Sequence, residues 1–470
     1  MSGYSSFAKN VGVLTIANFG TKILSFLLVP LYTSILSTAD YGTYDLVFNT
    51  VSVLIPLLTS NVVDAVLRFS IDKDADRAGI IGVGIKHFLI SLVAVASVLS
   101  INAVAGFSPD LVKLSPYFFL MFATQALSQI LLYCARGMNK FVDVAISSVL
   151  CSAAIIVSNI LFLIGFRMGL TGYFLANIVG PALQIVYFFI RLDFKQVKLR
   201  HLDQVLERDM LAYSRPLMAN AIAWWVNNVS DRYIVTFFCG VAVNGVYSVA
   251  TKIPSILSVF QTIIGQAWTI SAVDEFDPDD KNGFFGDMYS LYNCVMVIAC
   301  SLIIALDIPL ARLLYANSFF DAWRYVPFLT IAIVFGALAG YIGGILAAVK
   351  DSREFARSSV AGAVVNVVLN IAAVPLIGPL GSAVATAVCY WLTWFMRMRV
   401  MRKYIRLKLT PIRNGAAYVV LILQAFFLLV FFDRPDFMYV IEAMGVVIEI
   451  TLFRLEIKRA FSRALRKLKG

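Results

Sequence analysis

Apolar residues in this chain gather into runs of about 20, parted by short polar turns, and the alternation persists from one end to the other. The runs lie at roughly 8–35, 41–68, 79–105, 114–134, 142–166, 171–190, 212–238, 244–270, 285–310, 325–349, 357–376, 379–396, 414–432 and 437–453. Each is long enough to cross the hydrocarbon core as a helix, so the pattern predicts an all-α polytopic membrane protein with about fourteen transmembrane helices. The first run continues past Lys22 to Tyr32 without a cleavage site and is expected to be a retained span. A composition of 60% apolar and 14% charged residues agrees, and no soluble domain fits between the runs.

Charge then orients the spans. Of the 39 Lys and Arg residues, 29 fall in loops on one side, five (Lys113, Arg167, Arg312, Arg324 and Arg434) on the other, and five within spans. By the positive-inside rule both termini are cytoplasmic. The net charge of +11 is therefore mostly topology, and nucleic acid is excluded as a partner because no folded basic domain presents that charge. The acidic loop Asp274–Asp287 departs from the bias; Lys281 and Asn282 stand where a calcium loop needs a ligand and a glycine, so it is expected to be a solvated turn. The six cysteines form no CxxC pair, which argues against disulfides and zinc.

Two faint repeats divide the chain. Gly42-Thr43-Tyr44 opens the second span as Gly245-Val246-Tyr247 opens the eighth, 203 residues later. Gly169–Gly172 precedes the sixth span as Gly378–Gly381 precedes the twelfth, 209 residues later. Two six-helix lobes follow, over 1–200 and 201–410, with the last two spans and a basic tail over 411–470 as an appendage.

Chemistry is concentrated in the few charges at membrane depth, each expensive unless it faces a bundle interior or water. The stretch Tyr213–Lys252 carries Asp231, Arg232 and Lys252, and Lys252 lies two residues before Pro254. Lys22 sits about 21 Å into the first span. Asp64 and Arg68, spaced i, i+4, are expected to pair with each other or to face a cavity, and Lys86 to snorkel. Glu442 and Glu449 on the last span have no assigned role. The stripe Gly336, Gly340, Gly344 is read as a close-packing surface.

Enzyme signatures are missing: there is no GxxxxGK[ST], HExxH or GxSxG, His87 and His201 stand alone, and Asp72-Lys73-Asp74 lies in a short loop without a nucleotide-binding domain. No catalytic residue, cofactor or metal is expected.

The segments YSRPLMANAIAWWVNNVSDRYIV and NGVYSVATKIPSIL, with the opening ILSFLLVPLYTSILSTADYGTYDLV, resemble the bacterial oligosaccharide flippases, the O-antigen (Wzx-like) group of the MOP exporter superfamily. The resemblance implies two lobes around a central V-shaped cavity. It implies movement of undecaprenyl-pyrophosphate-linked oligosaccharide across the cytoplasmic membrane for O-antigen, capsule or exopolysaccharide synthesis, beside a polysaccharide polymerase and chain-length machinery. Such a substrate presents a dianionic pyrophosphate, a polar glycan and a long apolar tail. Lys22, Arg232 and Lys252 supply cations, while Asn227, Asn228 and Gln261, with Asp64, Arg68 and Asp231, are cavity or coupling candidates. Two alternatives stay open: a MATE-like cation-coupled multidrug exporter, and a membrane-embedded sugar polymerase or glycosyltransferase. The first would favour a buried carboxylate in the first span, which has none before Asp40, and the second a sizeable outer loop; the longest here is Leu310–Arg324.

Overall fold

A computed structural model describes residues 26–72, 75–192, 202–274 and 276–459; among them the chain is helical, without a strand. Lys22, His201 and Lys73 lie outside the described residues. Two compact units result, Met1–Val229 and Ser230–Gly470.

The first unit holds α1 (Val29–Ile35), α2 (Thr38–Leu58), α3 (Val62–Ser70), α4 (Arg77–Ala105), α5 (Pro109–Gly137), α6 (Phe141–Asn159, prolonged by a π-helical turn Ile160–Gly165) and α7 (Gly169–Arg191). The division falls inside α8 (Gln204–Cys239). The second unit continues with α9 (Val241–Ala250), α10 (Lys252–Asp274), α11 (Phe284–Ala305), α12 (Asp307–Leu314), a 3₁₀ turn Asn317–Arg324, α13 (Val326–Ala348), α14 (Ser352–Ile377), α15 (Pro379–Met401), α16 (Pro411–Val430) and α17 (Pro435–Leu452). Every apolar run within the described residues coincides with a helix or a broken helix. Among the described residues eight helices are long and apolar enough to cross a membrane, nine if the bent pair α2–α3 counts as one span.

Local chemistry sets the ends. Ser37 and Asp40 form a reciprocal capping box at the start of α2, and Asp76, Ser108 and Asp351 cap α4, α5 and α14 through backbone N–H groups. Proline occupies the first turn of α5, α13, α15, α16 and α17, where its missing N–H costs nothing. Between α4 and α5 the chain reverses through Gly106 at φ +68, and Asn102 clamps the turn by accepting from the Ser108 N–H at 3.0 Å and donating to its carbonyl at 3.1 Å.

The run 41–68 is not one straight span, because the chain bends by 60° between α2 and α3. Pro56 removes a donor from the last turn of α2, Ser60 and Asn61 take left-handed φ values of 53° and 52°, and the Asn61 N–H returns to the Pro56 carbonyl at 2.7 Å. The run 244–270 breaks likewise into α9 and α10, with Pro254 in the first turn of α10.

In the second unit α13 is the central element, with 72% of its apolar window buried. Its glycines do what the sequence stripe suggests, with one exception. A Cβ on Gly344 would lie 2.8 Å from the Trp268 indole, whose N–H donates to the Tyr341 carbonyl at 2.8 Å, and one on Gly336 would press on Tyr390. Gly343, outside the stripe, admits Phe355 and Arg397, whereas Gly340 has open space before it.

The loop after α10 is more than a solvated turn. Asp280 is 5% exposed and accepts from the Phe285 and Gly286 N–H groups at 3.0 and 2.9 Å, capping α11. Asp277, partly buried in the same loop, accepts from the Lys281 and Asp279 N–H groups, which hold its carboxyl below the usual range.

The charge-based orientation has a direct check. In a background lacking the six native cysteines, single cysteines at Ser108 and Asn317 are expected to react with an impermeant thiol reagent in intact cells, and those at Ser352 and Ser462 only after permeabilisation. Reversed labelling at either pair overturns the orientation.

Candidate functional site

The polar stretch of α8 leads into a buried network in the second unit. Asp231 is 9% exposed, and its Oδ2 accepts from the Tyr247 hydroxyl at 2.8 Å. Ser382 at the start of α15 donates to the same Tyr247 oxygen at 3.1 Å, so one carboxylate ties α8, α9 and α15 together. Beside it Asn244 is fully buried and accepts from the Ser248 hydroxyl at 3.3 Å. The Asp231 Oδ1 accepts from the Arg232 N–H at 2.9 Å, while the two side chains leave the helix about 100° apart. Sequence reading singled out Asp231 and Arg232 and missed Ser382; Tyr247 was visible only as part of the glycine-tyrosine repeat.

Lys252 opens α10 just past the break at Thr251. It is partly buried, and it has no side-chain partner among the described residues. The Gln261 amide nitrogen lies 3.8 Å from where a Cβ on Gly336 would stand, on the same patch of α13 that Tyr390 covers.

In the first unit, Trp225 donates to the Asn49 carbonyl at 2.9 Å and to Ser52 at 3.2 Å, docking α8 on α2 one turn before Pro56. Trp224 remains 67% exposed, and Asn228 donates to the Trp224 carbonyl at 2.7 Å. Asn227 is partly buried on the same helix. Asp64 and Arg68 do not pair: Asp64 accepts from the Asn61 side chain at 2.7 Å, steadying the left-handed break, and Arg68 reaches the exposed Asp72 at 3.0 Å.

His87 is not isolated and Lys86 does not merely snorkel. Both Glu207 oxygens accept from Lys86 at 2.8 Å, and His87 lies 3.1 Å from one of them. The Lys86 ammonium, with help from His87, holds the Glu207 carboxyl below the usual range and clamps α4 to the start of α8.

Arg397, which the sequence groups with loop charges, is 6% exposed. Its guanidinium donates to the Ala339 carbonyl at 2.9 Å, Ser358 at 3.0 Å and Ser359 at 2.8 Å, and lies 4.1 Å from the Phe355 ring centroid. A rigid fork with several acceptors is what lets an arginine stay inside a helical bundle.

The second unit also holds a cleft of about 930 Å³ between α13, α15 and α16, lined by Phe335, Trp391, Trp394 and Tyr418, with Arg402 and Arg406 at one end. Among the described residues no cluster of His, Cys, Asp and Glu could hold a metal ion, and none of the six cysteines forms a disulfide.

Residues 7–269 match the family model described as polysaccharide biosynthesis protein. The chain belongs to this polysaccharide biosynthesis family. Among solved structures, the lipid II flippase MurJ in an inward closed conformation is similar over 96% of this chain and 98% of its own, with a TM-score of 0.69 and 16% identity. An inward-facing multidrug resistance MATE family transporter of the MOP superfamily covers 86% of this chain and 98% of its own, at a TM-score of 0.66 and 13% identity. A mutant of the Vibrio cholerae MATE transporter VcmN covers 86% and 99%, at a TM-score of 0.52 and 13% identity. At these identities the likeness is one of fold. A comparison with curated proteins finds no sequence match. This member of the polysaccharide biosynthesis family is thus a multi-pass helical membrane protein with the fold of MOP-superfamily transporters.

Proposed function

We propose that this protein flips undecaprenyl-pyrophosphate-linked oligosaccharide across the bacterial cytoplasmic membrane, from the cytoplasmic to the outer leaflet, for O-antigen, capsule or exopolysaccharide synthesis. The observation that carries the reading is the pairing of the family match with the reach of the fold likeness. The flippase fold accounts for 96% of the chain, whereas the MATE fold accounts for 86%. A lipid-linked sugar also demands cations held in a mostly apolar body. Lys22, Arg232 and Lys252 are proposed to receive the pyrophosphate, with Asn227, Asn228 and Gln261 offering amides to the glycan and Asp231, Asp64 and Arg68 shaping the polar path. The proposed lobes are 1–200 and 201–410, with 411–470 appended and both termini cytoplasmic.

The test uses purified full-length protein in liposomes carrying lipid-linked oligosaccharide, with a lectin or an impermeant glycosidase outside. Initially protected oligosaccharide is expected to become accessible in protein-containing liposomes and to stay protected in empty ones. Equal protection in both, together with export of a cationic dye by the same liposomes, would replace this reading with the multidrug one.

A further inference from the structure

The last helix carries two carboxyl groups that the substrate path does not use. Glu442 is 1% exposed and Glu449 is fully buried, seven residues apart on α17 and therefore on one face. A third, Glu456, follows seven residues later at 8% exposure, and Asp307 at the start of α12 is fully buried. Glu449 stands about 10 Å beyond Glu442 along the helix axis, and Glu456 follows past the end of α17.

The surroundings of these groups leave them under-paired. Both oxygens of Glu449, both of Asp307 and one of Glu442 lack a hydrogen-bond partner among the described residues. The other Glu442 oxygen accepts from Gln424 of α16 at 3.1 Å, and the Gln424 oxygen accepts from Ser301 of α11 at 2.8 Å. Gly445 makes room for that amide: a Cβ there would lie 2.5 Å from the Gln424 side-chain carbon. Asp307 is within electrostatic reach of Glu442, and Glu449 of Cys294 and Cys300 on α11. A cation, Arg413 of α16, faces the lower end of the series, where it binds Glu456, donates to Asn414 and stacks on Phe453. Between the same helices α16 and α11, Tyr418 donates to Asn293 at 3.1 Å.

A bare carboxylate packed among helices at membrane depth, with neither counter-ion nor donor, costs several kcal/mol; the neutral acid costs far less. We propose that Asp307, Glu442 and Glu449 form a proton-binding site in the C-terminal helix group, through which the proton gradient drives the transport cycle. Each group holds its proton while buried, releases it to water when the helix pair opens it to one side, and takes a proton from the water of the other side before it is buried again, so that one proton crosses per group and cycle. The coupling half of this inference rests on the flippase reading; the proton-binding half stands without it.

Two measurements on the full-length protein separate the halves. In infrared difference spectra between alkaline and neutral pH, without any lipid-linked sugar, the parent is expected to lose a carboxylic-acid carbonyl band on alkalinisation. Glu442→Gln and Glu449→Gln are each expected to diminish that band, while Glu449→Asp retains it as a control for folding. A band absent from the parent, or unchanged by both glutamine variants, overturns the site. In the liposome assay, a gradient of one pH unit is expected to shift the final distribution of substrate by up to about tenfold per proton moved. Glu449→Gln should still equilibrate substrate yet ignore the gradient. A parent that flips substrate but responds only to sodium, or to no gradient, overturns the coupling. If the parent moves no lipid-linked sugar, the flippase reading fails while the infrared result still decides the proton site.

Discussion

Replacing Lys252 by alanine is expected to leave the protein as abundant and as heat-resistant as the parent, or slightly more so, while lowering polysaccharide export at least about tenfold. The two halves of this expectation come from one observation. Lys252 is partly buried at the start of α10 with no side-chain partner among the described residues, so its ammonium contributes no ion pair to the fold there. An unpaired cation at membrane depth is a net cost to folding, and its removal relieves that cost. Under the proposed function, that cost is offset when the charge meets the substrate's pyrophosphate. Lys252→Arg should recover much of the export, because charge rather than a particular geometry is required. Immunoblots of membranes, thermal unfolding of purified protein and surface polysaccharide levels check the three parts. Full export by the alanine variant would remove Lys252 from the binding site, and loss of the protein itself would make it a structural residue.

Arg397→Ala should do the opposite and lower the amount of folded protein in the membrane several-fold. The guanidinium joins three helices by donating to Ala339 of α13 and to Ser358 and Ser359 of α14 from its own place on α15. Hydrogen bonds to a charged group are worth about 1.5–3 kcal/mol each in soluble proteins, and those between membrane helices average about 0.6. Between these limits, loss of three bonds and of the stacking on Phe355 amounts to roughly 3 kcal/mol, a large part of a typical net stability. Arg397→Lys should rescue little, since one ammonium cannot reproduce a planar fork facing three acceptors. Size-exclusion profiles in detergent and a melting curve for each variant decide the point; a monodisperse alanine variant with parental melting would show that the buried fork is dispensable.

The helices were legible because membrane spans advertise themselves: a run of about 20 apolar residues has few other fates. Ends and breaks were less so. The bend after Pro56 was marked by its proline, but nothing local says that Ser60 and Asn61 take left-handed conformations, a choice sealed by the hydrogen bond from Asn61 to Asp64. Charges were harder still. Position along the chain gave the depth of Asp231 and Lys252, yet depth does not give a partner. Arg68 turned to Asp72, Lys86 found Glu207 across 121 residues, and Arg397 folded inward although it follows a span rather than interrupting one. Asp280 likewise looked like loop charge until the start of α11 turned its N–H groups towards it.

The faint glycine-tyrosine repeat has a physical counterpart in each unit. Tyr44 packs its ring 4.4 Å from that of Tyr173, the residue after Gly172, and Tyr247 receives the hydroxyl of Ser382, the residue after Gly381. Both glycines press against the end of the preceding helical segment, Gly172 on Phe162 and Gly381 on Ala373. The two joints share a place beside a close-packed glycine and differ in chemistry, ring upon ring in one and a hydroxyl chain ending on a carboxylate in the other. The joints are therefore not interchangeable: a tyrosine ring in place of Ser382 would crowd the small hydroxyl donor out of the chain that ends on Asp231.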